Sequence, residues 1–214
     1  MENKDLSIFR REYSNNSLNE NDLPGKPIVL FEEWLNEAIS NDISEPFAIT
    51  LSTASLKGKP SSRVVLLRSY SESGFIFYTN YSSRKAIEIQ ENPMASMNFF
   101  WPDLDRQIII IGEVSKTSEE ESDAYFLSRP LESRISAVIS EQSKPLPSRD
   151  SLENLFQKKM QELKGDEIIR PKNWGGFRLK PESIEFWQGR PHRLNDRILY
   201  QLENNVWQKQ RLAP

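Results

Sequence analysis

The sequence predicts an α+β protein, mainly β, whose strands form an antiparallel, barrel-like sheet. Five short β-rich runs follow one another between residues 46 and 118, separated by the turn signals LKGKP, SESG and WPDLD. Connections this short favour antiparallel meanders, because a parallel crossover needs a longer connection. Helical patterns lie on both sides of these runs, and further β-rich segments close the chain.

Composition excludes several function classes. Of 214 residues, 37% are hydrophobic and 28% charged, as is typical of globular proteins. The net charge of −3 provides no global basic field for nucleic acid or an anionic membrane. The absence of cysteine excludes disulfides, zinc–thiolate sites and thiol catalysis, and one histidine excludes a His-rich metal site. We expect no bound metal.

The N-terminal sequence and the hydropathy pattern indicate a cytoplasmic protein. MENKDLSIFRREY lacks the apolar core of a signal peptide, and no apolar run approaches the ~20 residues of a membrane span. Residues 1–27 are polar and predict a flexible arm. A single domain is expected over residues 28–214.

The elements follow in order along this domain. VLFEEWLNEAIS (29–40) has apolar residues at helical spacing and predicts an amphipathic helix. Strands are predicted for PFAITLSTA, SRVVLLRSY, GFIFYTN, MASMNFFW and RQIIIIGEVSKTS.

Three helices and four strands are predicted after residue 117. SEEESDAYFLS begins with a serine cap and an acidic first turn, LESRISAVIS follows, and SLENLFQKKMQELKG ends at a glycine. WGGFRLKPESIEFWQG and DRILYQLENNVWQKQRLAP predict two hairpin-like pairs of strands.

The segment FIFYTNYSSRKAIEIQ (75–90) predicts an anion site. Its strand ends at Asn80, and Ser82 or Ser83 caps a helix that begins near Arg84. Free backbone N–H groups and the helix dipole favour an anion at such a start. Arg84 and Lys85 oppose the dipole, a conflict that a bound phosphate would resolve. The alternative is two solvated surface cations.

Two arginines and one helical stripe offer further cationic positions. Arg63 and Arg68 lie five residues apart in one predicted strand and so project to opposite faces. One could serve a cofactor and the other a substrate, or both could be solvent-exposed charges. Tyr125, Arg129 and Ser133 lie on one stripe of a predicted helix, and their side chains suit binding of phosphate oxygens. The alternative is that this stripe is a solvent-exposed surface without a ligand.

The C-terminal segment EFWQGRPHRLNDR (185–197) combines Trp187 with Arg193 and Arg197. Guanidinium groups stack on π-systems and pair with oxyanions, so this set suits a planar anionic ligand. The structural alternative is a turn in which an arginine pairs with Asp196. His192 is expected to be an exposed turn residue, because the sequence shows neither a partner nor a pocket for a general base.

With these motifs in view, the chain resembles the pyridoxine/pyridoxamine 5′-phosphate oxidase family from FRREY to the terminal RLAP. The resemblance rests on WGGFRL, IEFWQGRPHRLNDR, FYTNYSSRKA, RQIIIIGEV, YFLSRPLESRI and SEQS, in the family's order. It implies an antiparallel split β-barrel that binds FMN at a homodimer interface.

The resemblance also implies residue roles. It assigns FMN to Arg63, Val64, Val65, Leu66, Leu67, Tyr78, Thr79, Arg84, Lys85, Gln107, Gln142, Ser143, Trp187 and Arg197. It assigns the substrate phosphate to Arg68, Tyr125, Arg129 and Ser133. It assigns Arg193 to the residue that lies against the pyridine ring of the substrate. Arg193 and Asn195 are the catalytic positions that the resemblance implies. Arg10 and Tyr13 match a segment that folds over the substrate as a lid.

Two positions depart from the family pattern. The family commonly has lysine at Arg68, where arginine keeps the charge but changes reach and geometry. Its motif Arg-Leu-His-Asp reads Arg193-Leu194-Asn195-Asp196 here. Asn195 can donate and accept hydrogen bonds but cannot gain a proton near neutral pH, so positioning is possible and imidazolium chemistry is not.

The implied activity is oxidation of pyridoxamine or pyridoxine 5′-phosphate to pyridoxal 5′-phosphate, with O₂ as acceptor and hydrogen peroxide released. The amine would also release ammonia. One alternative is another split-barrel flavoprotein, such as a reductase or a haem-degrading relative. A second is a non-catalytic carrier of flavin or pyridoxal phosphate. A third, nucleic-acid binding, would predict a basic chain rather than a net charge of −3.

Overall fold

Strands and helices occur along the chain in much the order that the hydrophobic patterning predicts. The computed structural model describes residues 5, 11–13, 16–162 and 168–214. The strands are β1 (Ala48–Ala54), β2 (Pro60–Leu66), β3 (Ser69–Ser71), β4 (Gly74–Asn80), β5 (Met94–Trp101), β6 (Arg106–Lys116), β7 (Trp174–Gln188), β8 (Asp196–Glu203) and β9 (Val206–Arg211). The helices are α1 (Pro27–Ser40), α2 (Arg84–Glu91), α3 (Glu119–Ser128), α4 (Leu131–Ile139) and α5 (Arg149–Glu162).

The strands are hydrogen-bonded in the order β2-β1-β5-β6-β7-β4-β3, with β8 paired to β7 and β9 paired to β8. β4 runs antiparallel to the first part of β7, where Asn80 lies opposite Trp174. β8 runs antiparallel to the last part of β7, where Asp196 lies opposite Gln188. This mainly β, α+β architecture confirms the predicted fold class.

Contacts divide the chain into two compact units. The first unit comprises Met1–Ala48, Met97–Ile110 and Glu182–Pro214, and the second comprises Ile49–Ser96 and Ile111–Pro181. The predicted division into an arm over residues 1–27 and a domain over residues 28–214 stays a prediction.

Aromatic side chains of α1 organise the core of the first unit. Phe31 packs edge-on against Phe99 with ring centroids 5.3 Å apart, and Trp34 packs edge-on against Phe186 at 5.2 Å. The guanidinium of Arg106 lies 4.4 Å from the Trp34 ring centroid. The predicted amphipathic helix is therefore confirmed, with its apolar face buried.

The second unit has its own buried cluster beneath α3 and α4. Phe126, Ile135 and Trp174 are buried there together with Ala137 and Ile168. The predicted serine cap of α3 is confirmed. The Ser118 hydroxyl accepts from the Glu121 amide at 3.1 Å, and the Glu121 carboxylate accepts from the Ser118 amide at 3.2 Å, which completes a capping box.

Two strand predictions are wrong in detail. SRVVLLRSY does not form one strand, because β2 ends at Leu66 and β3 begins at Ser69. WGGFRLKPESIEFWQ is not a hairpin but the single 15-residue strand β7. Pro181 lies between the segment that pairs with β4 and the segment that pairs with β8, so neither of these two ladders needs its missing N–H.

The final predicted hairpin is confirmed as β8 and β9. Its turn residues Asn204 and Asn205 have φ angles of 49° and 62°, which asparagine tolerates better than most residues. The glycine predicted to end α5 lies among residues 163–167, outside the described residues. Among residues 16–162 and 168–214, no helix has the length and apolar character needed to span a bilayer.

We expect Ser118→Ala to lower the free energy of unfolding by about 1 kcal/mol, because the Glu121 amide loses its acceptor. Urea denaturation monitored by circular dichroism measures the change. Ser136→Ala is the matched control, since its exposed hydroxyl only donates back to the Glu132 carbonyl within α4. Equal losses in the two variants would contradict a special role for the cap.

Candidate functional site

A cleft of about 310 Å³ in the second unit collects most of the residues that the sequence singles out. Its walls come from β2, β4, α2 and α3, with Trp174 at the start of β7. The lining residues are Arg63, Val64, Val65, Leu66, Arg68, Tyr78, Thr79, Lys85, Tyr125, Arg129, Gln142 and Trp174. Only Trp174 lacks a predicted role, although it begins the quoted motif WGGFRL.

Arg63 and Arg68 line the same cleft instead of serving opposite faces. The sequence prediction assumes one continuous strand, in which side chains five positions apart point to opposite faces of the sheet. Because β2 ends at Leu66, the backbone at Leu67 and Arg68 leaves the strand geometry and the alternation stops there. Leu67 itself is buried.

Lys85 is a buried cation whose hydrogen-bond partners are neutral. Its Nζ atom donates to Gln142 Oε1 at 2.8 Å and Thr79 Oγ1 at 3.1 Å. Burial, together with the charge of Arg63, lowers the pKa of Lys85 to about 8. Within the described residues no carboxylate pairs with Lys85, so the ammonium group suits an anionic ligand.

Glu88, one turn further along α2, binds the neighbouring cations. Its carboxylate accepts from Thr53 and Ser61, each at 2.5 Å, and from Arg84 Nε at 2.9 Å. Burial alone would raise the pKa of Glu88, but these hydrogen bonds outweigh burial and lower it to about 2. The sequence prediction misses Glu88, although its i, i+4 spacing from Arg84 is a usable signal.

The start of α2 differs from its predicted cap. Ser83 is the N-cap residue, but its side chain makes no capping hydrogen bond. Instead the Arg84 amide donates to Ser143 Oγ at 3.2 Å, from a residue distant in sequence. Ser143 has a φ of 73°, so the segment that carries it turns in the left-handed region. The predicted residue Ser143 thus lies at the N-terminus of α2.

Three nearly parallel aromatic rings, stacked on one another, form an aromatic wall of the site. Tyr78 stacks on Tyr125 with centroids 3.8 Å apart and on Trp174 at 5.6 Å. A Cβ atom at Gly176 would come within 2.9 Å of the Tyr78 ring and 2.5 Å of Thr117 Oγ1. Glycine in WGGF therefore permits the close approach of β7 to this wall.

Arg129 rests on this wall. Its guanidinium carbon lies 4.7 Å from the Trp174 ring centroid, and its buried Nη1 atom has no hydrogen-bond partner among the described residues. The predicted stripe bends where α3 ends and α4 begins, as Pro130 requires. Tyr125 and Arg129 line the cleft, whereas Ser133 lies on α4 and does not.

A larger cavity of about 700 Å³ in the same unit shares Arg129, Gln142 and Trp174 with the cleft. Its other cation, Arg149, already pairs with Glu153 at 2.6 Å. The smaller cleft has Lys85, Arg63 and Arg68 without a carboxylate in its lining. The smaller cleft is therefore the better anion site.

A pocket of about 260 Å³ in the first unit contains the predicted site residues Tyr13 and Arg193. Its lining residues are Arg11, Glu12, Tyr13, Arg190, His192 and Arg193. Tyr13 packs edge-on against Trp187 with centroids 5.4 Å apart. A Cβ atom at Gly189 would lie 2.6 Å from the Tyr13 ring, so glycine allows this contact. The predicted lid residue Arg10 lies outside the described residues.

Asn195 closes the turn that carries Arg193. Its Oδ1 atom accepts from the Arg190 amide at 3.0 Å. His192 and Arg193 adopt φ angles of 59° and 61°, and both side chains are exposed. His192 is therefore an exposed turn residue, as the sequence predicts. The side-chain amide of Asn195 thus holds the backbone at Arg190 by a hydrogen bond that does not require the side chain to gain or lose a proton.

Arg197 is already paired in the first unit. Its guanidinium donates to the Glu185 carboxylate at 2.7 and 3.1 Å and to the Ala213 carbonyl at 2.9 Å. It lies opposite Trp187 in the register of β7 and β8. Gln107 is half-buried on β6. The FMN-binding roles of these three residues stay predictions. The described residues also contain no group of three or more acidic or histidine side chains that could hold a metal ion.

The sequence matches known proteins over nearly its whole length. A family model described as pyridoxamine 5′-phosphate oxidase matches residues 35–158, and one described as pyridoxine 5′-phosphate oxidase C-terminal dimerisation region matches residues 174–214. A protein of Bacteroides thetaiotaomicron named pyridoxine/pyridoxamine 5′-phosphate oxidase is 47% identical over 99% of this chain and 100% of its own length. One of the same name from Legionella pneumophila (strain Paris) is 46% identical over 99% of this chain and 98% of its own length.

Solved structures share the fold. PhzG from Burkholderia lata 383, in complex with tetrahydrophenazine-1-carboxylic acid, is 32% identical with a TM-score of 0.88, over 94% of this chain and 100% of that chain. An FMN-binding, pyridoxamine 5′-phosphate oxidase-related protein of Nostoc punctiforme PCC 73102 has a TM-score of 0.70 at 18% identity, over 90% of this chain and 98% of that chain. The second likeness concerns the fold alone.

We expect inorganic sulfate to bind at Lys85 and to bind more weakly as pH rises. Lys85 loses its charge as pH rises through about 8, whereas sulfate stays a dianion. The apparent dissociation constant should therefore rise up to about tenfold between about pH 7 and about pH 9. Thermal shifts at increasing sulfate concentration measure it at each pH.

Lys85→Met should bind sulfate weakly at every pH in this range and lose the pH dependence. Lys180→Met, the same substitution at an exposed lysine of β7, should behave like the wild type. A pH dependence that survives in Lys85→Met would show that another group holds the anion.

Proposed function

The chain belongs to the pyridoxamine 5′-phosphate oxidase family, and on that premise we propose that it oxidises pyridoxamine or pyridoxine 5′-phosphate to pyridoxal 5′-phosphate. FMN is the proposed cofactor and O₂ the electron acceptor. Hydrogen peroxide is released; when the substrate is the amine, oxidation gives an imine, which water hydrolyses to the aldehyde and ammonia. The observation that carries this proposal is the cationic cleft with its aromatic wall.

The residues of the cleft fit a flavin mononucleotide in their chemistry. A buried lysine without a carboxylate partner lines the cleft together with Arg63. Arg84, which precedes Lys85 in α2 but does not line the cleft, completes the proposed donor set for a phosphate monoester. Thr79 and Gln142 add neutral polar atoms that already contact Lys85. These residues would hold FMN together with the β2 residues Val64, Val65 and Leu66, and with Leu67, Tyr78 and Ser143.

A second set of residues in the cleft supports binding of the substrate phosphate. Arg68 and Arg129 supply charge, and Tyr125 supplies a hydroxyl. FMN and the vitamer each carry a phosphate of about −1.5 to −2 charges near neutral pH, so one site needs several cations. Ser133 joins this set only by its resemblance to the family.

When bound, FMN supplies the acceptor for the hydride equivalent that leaves the 4′ carbon of the vitamer, and O₂ takes the electrons from there. The protein binds and orients the flat ligands. Arg193 is proposed to lie against the pyridine ring, and Tyr13 to cover the substrate together with Arg10. Asn195 fixes the turn that presents Arg193.

The same proposal extends to the assembly. Residues 174–214 match a dimerisation region, and we propose a homodimer whose active sites lie at the subunit interface. Gln107, Trp187 and Arg197 are the remaining FMN-binding residues of the proposal. They belong to the first unit, and the resemblance to the family supports their role.

We expect the purified full-length protein to be yellow and to consume O₂ with pyridoxamine or pyridoxine 5′-phosphate. An oxygen electrode and a peroxide assay, run with both phosphorylated vitamers, measure this. The unphosphorylated vitamers serve as controls and should react far more slowly. Bound flavin without peroxide from either vitamer would favour a flavin carrier, and activity on another ring system alone would favour a different flavoenzyme of this fold.

We expect Arg193→Ala and Arg84→Ala to harm different properties. Arg193→Ala should lower kcat by at least about tenfold while FMN stays bound, because it removes a ring-positioning cation. Arg84→Ala should instead weaken FMN retention, measured as flavin released on gel filtration. His192→Ala is the control, since this exposed neighbour of Arg193 has no proposed role. Equal, small effects in all three variants would contradict the assignment.

A further inference from the structure

Glu88 is a buried carboxylate among cations, and neither the sequence prediction nor the resemblance gives it a role. Its side chain is 7% exposed. Oε2 accepts from the hydroxyls of Thr53 on β1 and Ser61 on β2, and Oε1 accepts from Arg84 on α2. Removing a carboxylate from water is costly unless it is paired and hydrogen-bonded. Glu88 therefore ties three elements together at the wall of the cleft.

The contact with Arg84 leaves the end of that side chain available. Glu88 occupies only Nε, at 2.9 Å, and no hydrogen bond among the described residues uses Nη1 or Nη2 of Arg84. The Arg84 side chain is 55% exposed. Two terminal guanidinium nitrogens with fixed orientation suit bidentate binding of phosphate oxygens. Glu88 thus orients Arg84 without using up its terminal donors.

Glu88 also restrains Arg63, both directly and through shared hydroxyls. Arg63 Nη2 lies 3.5 Å from Glu88 Oε2 and donates to Ser61 Oγ. Arg63 Nη1 donates to Thr53 Oγ1 at 2.6 Å. Thr53 and Ser61 each donate in turn to Glu88. Removing the carboxylate would leave both hydroxyls without this acceptor. Of the contacts that hold the guanidinium within the described part of the chain, the hydrogen bond from Nη1 to the Leu51 carbonyl at 3.2 Å is the one that does not involve this cluster, so the guanidinium would be less firmly held.

The charges of this cluster match one phosphate. Arg63, Arg84 and Lys85 contribute three positive charges and Glu88 one negative charge, which leaves two positive charges. A phosphate monoester carries about −1.5 to −2 charges near neutral pH. Without Glu88 the three cations would repel one another in a partly buried site.

From these contacts we propose that Glu88 is a positioning residue for the flavin phosphate. It holds Arg63 and Arg84 beside Lys85, so that the phosphate meets donors whose orientation is already fixed. Preorganisation of this kind raises affinity because less side-chain entropy is lost on binding. This inference rests on the proposed function, since it takes the ligand to be FMN.

The test compares FMN with riboflavin, which lacks the phosphate. Fluorescence quenching gives the dissociation constant of each flavin for the full-length protein after its flavin is removed. The ratio of the riboflavin constant to the FMN constant measures what the phosphate contributes. We expect this ratio to fall by at least about tenfold in Glu88→Ala and by less in Glu88→Gln. Glu88→Gln keeps an acceptor for Thr53 and Ser61 but loses the charge.

A general loosening of the fold would weaken both flavins alike and leave the ratio unchanged. Glu91→Gln is the matched control, because Glu91 is an exposed carboxylate of the same helix. If Glu88→Ala does not fold, Glu88→Gln carries the test, since it preserves size and shape. If the ratio in Glu88→Gln is equal to or above that of the wild type, the positioning role of Glu88 is wrong, and the proposed function is unaffected. A wild type that does not prefer FMN over riboflavin contradicts the proposed function as well.

Discussion

Four cations around one cleft repel one another, and the site in the second unit depends on how their charge is held. The residues that line the cleft include Arg63, Arg68, Lys85 and Arg129 but no carboxylate. Glu88 lies just behind them and pairs with two arginines of α2 and β2. One carboxylate in this place limits the repulsion without cancelling the field that attracts an anion.

Neutral groups hold two of the other cations, Lys85 and Arg129. Lys85 is held by a hydroxyl and an amide oxygen, and Arg129 lies on the face of Trp174. Hydroxyls, amides and π-faces fix the position of a cation without neutralising it. The aromatic wall of Tyr78, Tyr125 and Trp174 therefore has two purposes, because it lines the cleft and, through Trp174, holds Arg129.

Local patterns predict much of this arrangement. The bounds of β4 and β5 and the serine cap of α3 follow from runs of neighbouring residues, and the motifs identify most of the cleft. What the sequence does not predict is long-range. The cap of α2 comes from Ser143, and the pairing of β7 with two different strands keeps Pro181 within one strand. Glu88 escapes notice because its partners Thr53 and Ser61 lie far away in sequence.

The turn around Arg193 has a thermodynamic consequence of its own. His192 and Arg193 are adjacent non-glycine residues in the left-handed region, where each costs roughly 1–2 kcal/mol. Glycine at either position would relieve that cost in the folded chain but would widen the unfolded ensemble, so the two effects oppose each other. The hydrogen bond from the Arg190 amide to Asn195 Oδ1 closes the same turn and helps to hold this strained backbone in place. The stability measured for a substitution in this turn therefore reports the difference between these two opposing effects.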